Sequence, residues 1–254
     1  MLDSALEVGD VPTTLEQLLP STSRHERSAV MCADERSRDE ASLGTIWEQL
    51  EWGALEIVDD FVTIERCYLI VRQREGRAMT KMESRGVLVL KRVLVEGCQK
   101  VAAMELGIAP STATALGRTG LLAIGLRCRV QNTPYIVAVA ANASHEGPSV
   151  LARSSALQHA GGALQVLSIP RPETHVHHLF SRAVLEVTGS LLEGKTRSHI
   201  ALARNRSERT VANQLAVAFR QLRAFSRLDM LRVLARSQGA LAAISRDGSS
   251  LDLA

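Results

Sequence analysis

The sequence predicts a mainly α-helical protein with small β-hairpins, an α+β fold, and three observations support this class. Apolar residues recur at helical spacing through residues 180–235. Two runs rich in β-branched and apolar residues, 55–71 and 155–169, are each broken by a short turn-like segment, as in β-hairpins. Aromatic residues make up only 3% of the 254 residues, which suits small helical modules packed with Leu, Val and Ala. A chain of this length contains one or two domains.

The two ends of the chain are poor in apolar residues. Residues 1–42 are rich in Asp, Glu, Ser, Thr and Arg. Such a composition buries too little apolar surface to offset the entropy of ordering, so this segment is expected to be largely disordered, with one short helix at 14–19. A helix is expected at 45–51. Residues 238–254 are expected to form a flexible tail.

The first hairpin is predicted from two strand-like runs, 55–62 and 67–71, on either side of a short turn. The helix after it is predicted to begin at a capping box of Thr80 and Glu83, in which each side chain accepts a hydrogen bond from the other residue's backbone N–H.

A second hairpin is predicted at 155–159 and 164–169, around a Gly-Gly turn. Between the two hairpins, residues 135–141 form a short apolar run after a proline. This run fits either a helix started by the proline or a strand, and both interpretations remain open.

Three hydroxyl residues suited to helix N-caps divide the C-terminal region, namely Ser181, Ser207 and Ser226, and a further helix begins near Thr196. The third of the resulting helices begins at Glu208 and carries its apolar residues on one stripe, formed by Val211, Leu215, Ala218 and Leu222. Four short helices in this order indicate a helix-turn-helix with a supporting fourth helix.

Four segments of this region resemble the LuxR-type (GerE-type) DNA-binding domain of bacterial transcription regulators. They are E-G-K-T-R-S-H-I-A at 193–201, S-E-R-T-V-A-N-Q-L at 207–215, F-R-Q-L at 219–222 and S-R-L-D-M-L at 226–231. In that family the third helix enters the major groove. Three positions depart from the family pattern: Ala212 and Gln214 stand where a basic residue and a histidine are usual, and Val184 replaces a capping glutamate.

The resemblance implies a DNA-binding surface of nine residues: Lys195, Thr196, Arg206, Ser207, Arg209, Thr210, Asn213, Gln214 and Arg220. Arg209 and Thr210 are expected to contact phosphate. Asn213 and Gln214 are expected to approach base edges, because amide side chains can pair bidentately with adenine.

A second, diverged copy of the module is indicated upstream, where E-L-G-I-A-P-S-T at 105–112 resembles the turn and third-helix start of the same family. Aligning Thr112 with Thr210 gives an offset of 98 residues, and the repeating unit, hairpin plus helix-turn-helix, would occupy 43–143 and 150–237. Its DNA-binding surface would comprise Lys100, Ser111, Thr112, Thr114 and Arg118.

The third helix of this first copy contains Gly117 and Gly120. Each costs about 1 kcal/mol relative to alanine in a helix interior, so alanine at either position is expected to stiffen the copy. The glycines also indicate a copy that has drifted from base reading toward packing or pairing.

A competing motif is G-x-x-x-x-G-K-T at 189–196, which spells the phosphate loop of nucleoside triphosphatases. That loop requires a preceding strand and a second strand ending in a magnesium-binding aspartate. The apolar spacing here indicates a helix instead, and none of the later aspartates ends a strand-like run. The sequence therefore predicts no nucleotide site and no enzyme.

Charge is unevenly distributed along the chain. The net charge is −8 over residues 1–78, +5 over 79–143 and +7 over 174–237, although the whole chain carries only +3. The two helix-rich regions are thus the basic ones, as phosphate-backbone binding requires.

No cofactor or metal is expected. The four cysteines lie 30 or more residues apart without a C-x-x-C pair, which suits a reducing cytoplasm rather than a disulfide framework. The histidines His175, His177 and His178 are interpreted as a solvated linker rather than a metal site. The N-terminus lacks a signal-peptide pattern, and no apolar run is long enough to span a bilayer, so the protein is predicted to be cytoplasmic without a membrane partner.

These observations lead to a sequence-specific transcription regulator with double-stranded DNA as its partner. The alternative is a drifted regulator that binds RNA polymerase or another regulator and reads little DNA. The two modules could act as an intrachain pseudo-dimer, or the chain could homodimerise through the fourth helix; the sequence leaves both open.

Overall fold

A computed structural model describes residues 24–76, 78–146, 150–159, 162–172 and 176–248. Within them the chain forms ten α-helices and one five-stranded antiparallel sheet, which confirms the predicted α+β class. In the described part of the chain, no helix combines the length and apolar character needed to cross a membrane.

The elements of the N-terminal half are α1 (Arg24–Arg36), β1 (Asp39–Ser42), α2 (Leu43–Trp52), β2 (Leu55–Val62), β3 (Arg66–Gln73), α3 (Lys81–Glu96), α4 (Gln99–Glu105), α5 (Pro110–Ala123) and α6 (Tyr135–Glu146). Those of the C-terminal half are β4 (Leu151–His159), β5 (Gly162–Pro170), α7 (Arg182–Leu192), α8 (Arg197–Ala203), α9 (Glu208–Gln221) and α10 (Arg227–Gly248). Short 3-10 turns precede α6 and α7.

Both predicted hairpins are present, and they join into one sheet with the strand order β1-β4-β5-β3-β2. The junction is the antiparallel pair β3–β5, in which Leu69 lies opposite Leu167. One face of the sheet packs on the helices. The other face is covered by α1, whose Val30 packs in one apolar cluster with Phe61 and Tyr68. The rings of Phe61 and Tyr68 stack on each other, with centroids 4.7 Å apart.

The prediction of disorder for residues 1–42 is wrong for its second half, because 24–36 form α1 and 39–42 form β1. Two residues of α1, Val30 and Asp34, are fully buried on the sheet. The Asp34 carboxylate accepts hydrogen bonds from Ser168 Oγ at 2.6 Å and Tyr68 Oη at 3.3 Å. The charged composition of this segment gave no indication that Val30 and Asp34 would be buried. The predicted helix at 14–19 lies outside the described residues.

The helical part of the chain extends further toward the C-terminus than predicted. Helix α10 continues to Gly248, and Gln238 and Gly239 are still buried, so 238–248 belong to a helix and not to a flexible tail. Residues 249–254 lie outside the described part.

Residues 135–141, which the sequence left open between helix and strand, form the first two turns of α6. All seven are buried, since α6 lies between α2, α3 and α10. A helix that is apolar on every side shows no helical period, which explains the ambiguity.

A single large apolar core unites the inner sheet face with α2, α3, α5 and α6, and it extends to Leu228, Leu231 and Leu234 of α10. The two halves of the chain are therefore packed together rather than strung as separate domains.

Candidate nucleic-acid interface

Helices α8 and α9 begin where the sequence predicted, and each begins at a hydroxyl N-cap, of which only Ser207 was predicted as a cap. Thr196 Oγ1 accepts a hydrogen bond from His199 N at 3.3 Å, and Ser207 Oγ accepts one from Thr210 N at 3.1 Å. The turn between the helices is closed by Asn205, whose φ of 50° is left-handed. Asparagine tolerates this conformation better than most residues, so the turn is encoded locally.

The inner face of α9 packs in a small core of its own, formed by Val187, Ile200, Ala201, Val211 and Leu215. At the C-terminal end of α9, Ala218 and Leu222 continue into the large core. The buried stripe is the predicted one, and it fixes which side of α9 faces solvent.

The outer face of α9 presents Arg209, Thr210, Asn213 and Arg220, all exposed, and Arg206 is exposed in the preceding turn. The structure gives none of these three arginines a carboxylate within ion-pair distance among the described residues. The Thr210 hydroxyl lies 2.9 Å from Ser207 Oγ, so it is held at the start of the helix. This face offers donors and uncompensated positive charge, which suits an anionic partner.

Gln214 is placed differently from its neighbour Asn213. Its side chain is half-buried, and Oε1 is buried without a hydrogen-bond partner among the described residues. Of the two amides expected at base edges, Asn213 is therefore the one that projects fully into solvent.

Lys195 is also constrained, because its Nζ lies 2.8 Å from Glu193 Oε2. Glu193 in turn pairs with Arg171, 3.1 Å away. By contrast, Arg197 in α8 and Arg223 after α9 are exposed and have no ion pair within the described residues. Neither was included in the predicted surface, although each lies beside the apolar residues of a predicted helix: Arg197 before them in α8 and Arg223 after them in α9.

The surface predicted for the second module copy, in the N-terminal half, consists of Lys100, Ser111, Thr112, Thr114 and Arg118, and all five are exposed. Helix α5 begins without a side-chain cap, with Ala109 at the N-cap and Pro110 in the first turn. The Thr114 hydroxyl donates to the Pro110 carbonyl at 2.9 Å. This face therefore has fewer polar groups available than that of α9.

The glycines of α5 have a packing role. A Cβ on Gly120 would lie 2.3 Å from the Gly86 carbonyl oxygen, and a Cβ on Gly86 would lie 2.7 Å from Gly120 N. Helices α3 and α5 thus meet backbone to backbone. Gly117 is less crowded, since its Cβ would meet only Val130 Cγ2 at 3.2 Å.

Arg227, at the start of α10, ties the two halves together. Its guanidinium donates to Leu191 O at 2.7 Å and Leu192 O at 2.6 Å, at the end of α7. It also donates to Thr133 O at 3.3 Å and to Gln131 O, just before α6. Burial lowers the pKa of Arg227 to about 10, so the side chain remains a cation at neutral pH. Sequence reasoning missed this residue because its partners are backbone carbonyls.

The segment 189–196, which spells a phosphate loop, begins inside a helix. Gly189 is buried in α7, which ends at Leu192, and the remaining residues form the turn before α8. The strand that a phosphate loop requires before it is replaced by this helix.

Among the described residues, no group of three or more His, Cys, Asp and Glu side chains is arranged to hold a metal ion. His177 and His178 lie in the 3-10 turn before α7, and His175 is outside the described residues. The four cysteines form no disulfide bond among the described residues. Comparison of the chain with protein-family models, with curated proteins and with solved structures gives no match.

Proposed function

We propose that this chain is a sequence-specific DNA-binding transcription regulator of the LuxR type, in which α9 enters the major groove. The observation that carries the proposal is the outer face of α9, where Arg209, Asn213 and Arg220 project from a helix whose opposite face is locked in its own core. A rigid helix with an amide and unpaired arginines on one side matches the width and the acceptor pattern of the major groove.

The roles divide between phosphate and base. Arg209 and Arg206 lie at the N-terminal end of α9, where the helix dipole and free backbone N–H groups also favour phosphate. Asn213 lies one turn further along on the exposed face, in the position of the base reader. Ser207 and Thr196 act as caps that set the angle of each helix.

We also propose that the chain is a tandem repeat of hairpin plus four helices. Helices α4 and α8 begin 98 residues apart and end 98 residues apart, and the same holds for helices α5 and α9. Left-handed residues recur with the same offset, Gly107 with Asn205 and Gly125 with Arg223. Leu69 and Leu167, which face each other in β3–β5, are again 98 apart. A strand pair centred on equivalent residues is the pattern of a two-fold interface.

This arrangement favours an intrachain pseudo-dimer over a homodimer formed through the fourth helix. The apolar face of α10 is already covered by α6, and Tyr135 Oη donates to Leu234 O at 3.2 Å across that contact. A second chain would have to displace this contact. As a regulator the chain would act in the cytoplasm, where its free cysteines stay reduced.

The test is selection of bound sequences from a random duplex pool with the full chain at near-physiological salt. An enriched motif is expected, and the Arg209→Ala, Asn213→Ala double variant should lose the preference for it, by about 10–100-fold if one bidentate base contact is removed. The matched control is Arg38→Ala, an exposed arginine outside both helical modules. Enrichment that survives the double variant would refute α9 as the reading helix.

A specific observation favours the second candidate, a protein-interaction module that binds RNA polymerase or another regulator. Large apolar side chains are left in solvent: Phe225 is 94% exposed, Leu202 82% and Met104 76%. Leu202 lies in α8, Met104 in α4 and Phe225 in the turn before α10. Exposed apolar side chains that form a continuous patch are typical of protein interfaces. A folded chain that enriches no sequence would support this candidate over the first.

A further inference from the structure

A second basic surface overlaps the predicted DNA-binding surface of the first module and extends beyond it, into a groove between α5 and the segment 127–131 that leads toward α6. Its lining includes Ser111, Thr114, Arg118, Arg127, Arg129 and Gln131. Three of the lining residues are arginines, and the lining contains no carboxylate. Arg127 and Arg129 belong to no motif recognised in the sequence.

The charge of this groove is uncompensated. All three arginines are exposed, and the structure gives them no ion-pair partner among the described residues. Arg92, on α3 of the same module, is by contrast neutralised: it lies 3.5 Å from Glu96 and 3.7 Å from Glu105. Isolated cations along one open groove create a local positive potential that attracts polyanions.

The groove is also rigidly built. Val130, between Arg129 and Gln131, is buried and lies against Gly117, so the segment can approach α5 closely. The Gln131 carbonyl accepts from Arg227, which is simultaneously bonded to the end of α7. The groove is thereby held in a fixed position relative to the C-terminal module that carries α9.

We propose that this groove binds the sugar-phosphate backbone of duplex DNA through Arg118, Arg127 and Arg129. The inference rests on the proposed function and extends it: the same duplex is read by α9 and clamped by the first module. Arginine suits phosphate because its planar fork of donors can bond two phosphate oxygens at once. With hydroxyls and few amides beside them, these arginines supply affinity without sequence preference.

The test measures affinity against salt concentration for the full chain, using fluorescence anisotropy on the selected duplex and on an unrelated duplex of equal length. Replacing one phosphate-contacting arginine by alanine should lower the magnitude of the slope of log K against log salt by about 0.9. The Arg127→Ala, Arg129→Ala variant should therefore lose affinity equally on both duplexes. Arg127→Lys, Arg129→Lys should keep most of the slope, because the charges remain.

The control is Arg85→Ala, an exposed arginine on α3 outside the groove, which should leave the slope unchanged. If wild type binds DNA and the double alanine variant binds with the same slope, the groove inference is overturned while the proposed function stands. If wild type binds both duplexes equally and the double variant weakens both, the groove is supported and sequence-specific reading fails. If wild type retains no duplex, both fail, and binding of an acidic protein becomes the explanation of the basic groove.

Discussion

Replacing Gly120 by alanine is expected to destabilise the chain by about 1–2 kcal/mol, although alanine is the better helix former. The gain in helix propensity is about 1 kcal/mol. Against it, the new Cβ would lie 2.3 Å from the Gly86 carbonyl oxygen, 2.5 Å from its carbon and 2.8 Å from Val87 N. These are backbone atoms, which cannot rotate away, so α3 and α5 must separate by roughly 1 Å. Overpacking of this kind costs typically about 1–3 kcal/mol, and the rigid contact places it at the upper end.

The assay is thermal unfolding followed by circular dichroism at 222 nm. For a chain of this size, a loss of about 1–2 kcal/mol lowers Tm by roughly 2–8 °C. Gly117→Ala is the matched control, because it lies on the same helix and would meet only the end of the Val130 side chain at 3.2 Å. Its Tm is expected to stay the same or rise. A Gly120→Ala variant as stable as wild type would refute the backbone contact between α3 and α5.

Two further perturbations test individual buried charges. Burial, with the neighbouring Asp59 carboxylate, raises the pKa of Asp60 from 3.8 to about 6. Ionised Asp60 therefore destabilises the fold: this penalty is absent below about pH 4, grows between about pH 4 and 6, and is complete above about pH 6. Asp60→Asn should therefore raise the unfolding free energy by about 1–3 kcal/mol at pH 7.5 and leave it nearly unchanged at pH 4; an equal effect at both values would contradict this assignment. Arg227→Ala should lower the urea midpoint by the equivalent of about 2–4 kcal/mol, because it leaves buried carbonyls without donors. The control is Arg223→Ala, at an exposed arginine. Equal urea midpoints for Arg227→Ala and wild type would contradict the tie between the halves.

Features encoded by neighbouring residues were predictable from the sequence. The capping box of Thr80 and Glu83 is present, with Glu83 N donating to Thr80 Oγ1 at 3.2 Å and Thr80 N to Glu83 Oε2 at 2.7 Å. Helix α9 begins at Glu208, as the cap at Ser207 predicted. Caps and left-handed turns depend on side chains within about four residues, so local reading is sufficient for them.

Features that depend on distant partners were not predictable. The sequence indicated two hairpins, but their union through β3–β5 joins residues about 100 positions apart, and no local pattern specifies it. Helix α1 was missed because its composition is polar on average, while its stability comes from Val30 and from Asp34, which is bonded to the sheet. The groove arginines Arg127 and Arg129 were missed because they lie in a connecting segment without a motif.

The proposed internal repeat would have a consequence for DNA reading that a homodimer would not have. In a homodimer the two reading helices have the same sequence, so a substitution that changes the preference for one half-site changes the preference for the other as well. In a repeat within one chain, α5 and α9 can change separately while the shared contacts of α6 with α10 keep them together. The copy with Gly117 and Gly120 can then give up base reading for close packing and keep only phosphate contacts, provided that Arg118, Arg127 and Arg129 remain uncompensated. On this reasoning the selected DNA should contain one well-defined half-site flanked by a protected but degenerate segment, and two equally defined half-sites would instead mean that α5 still reads bases.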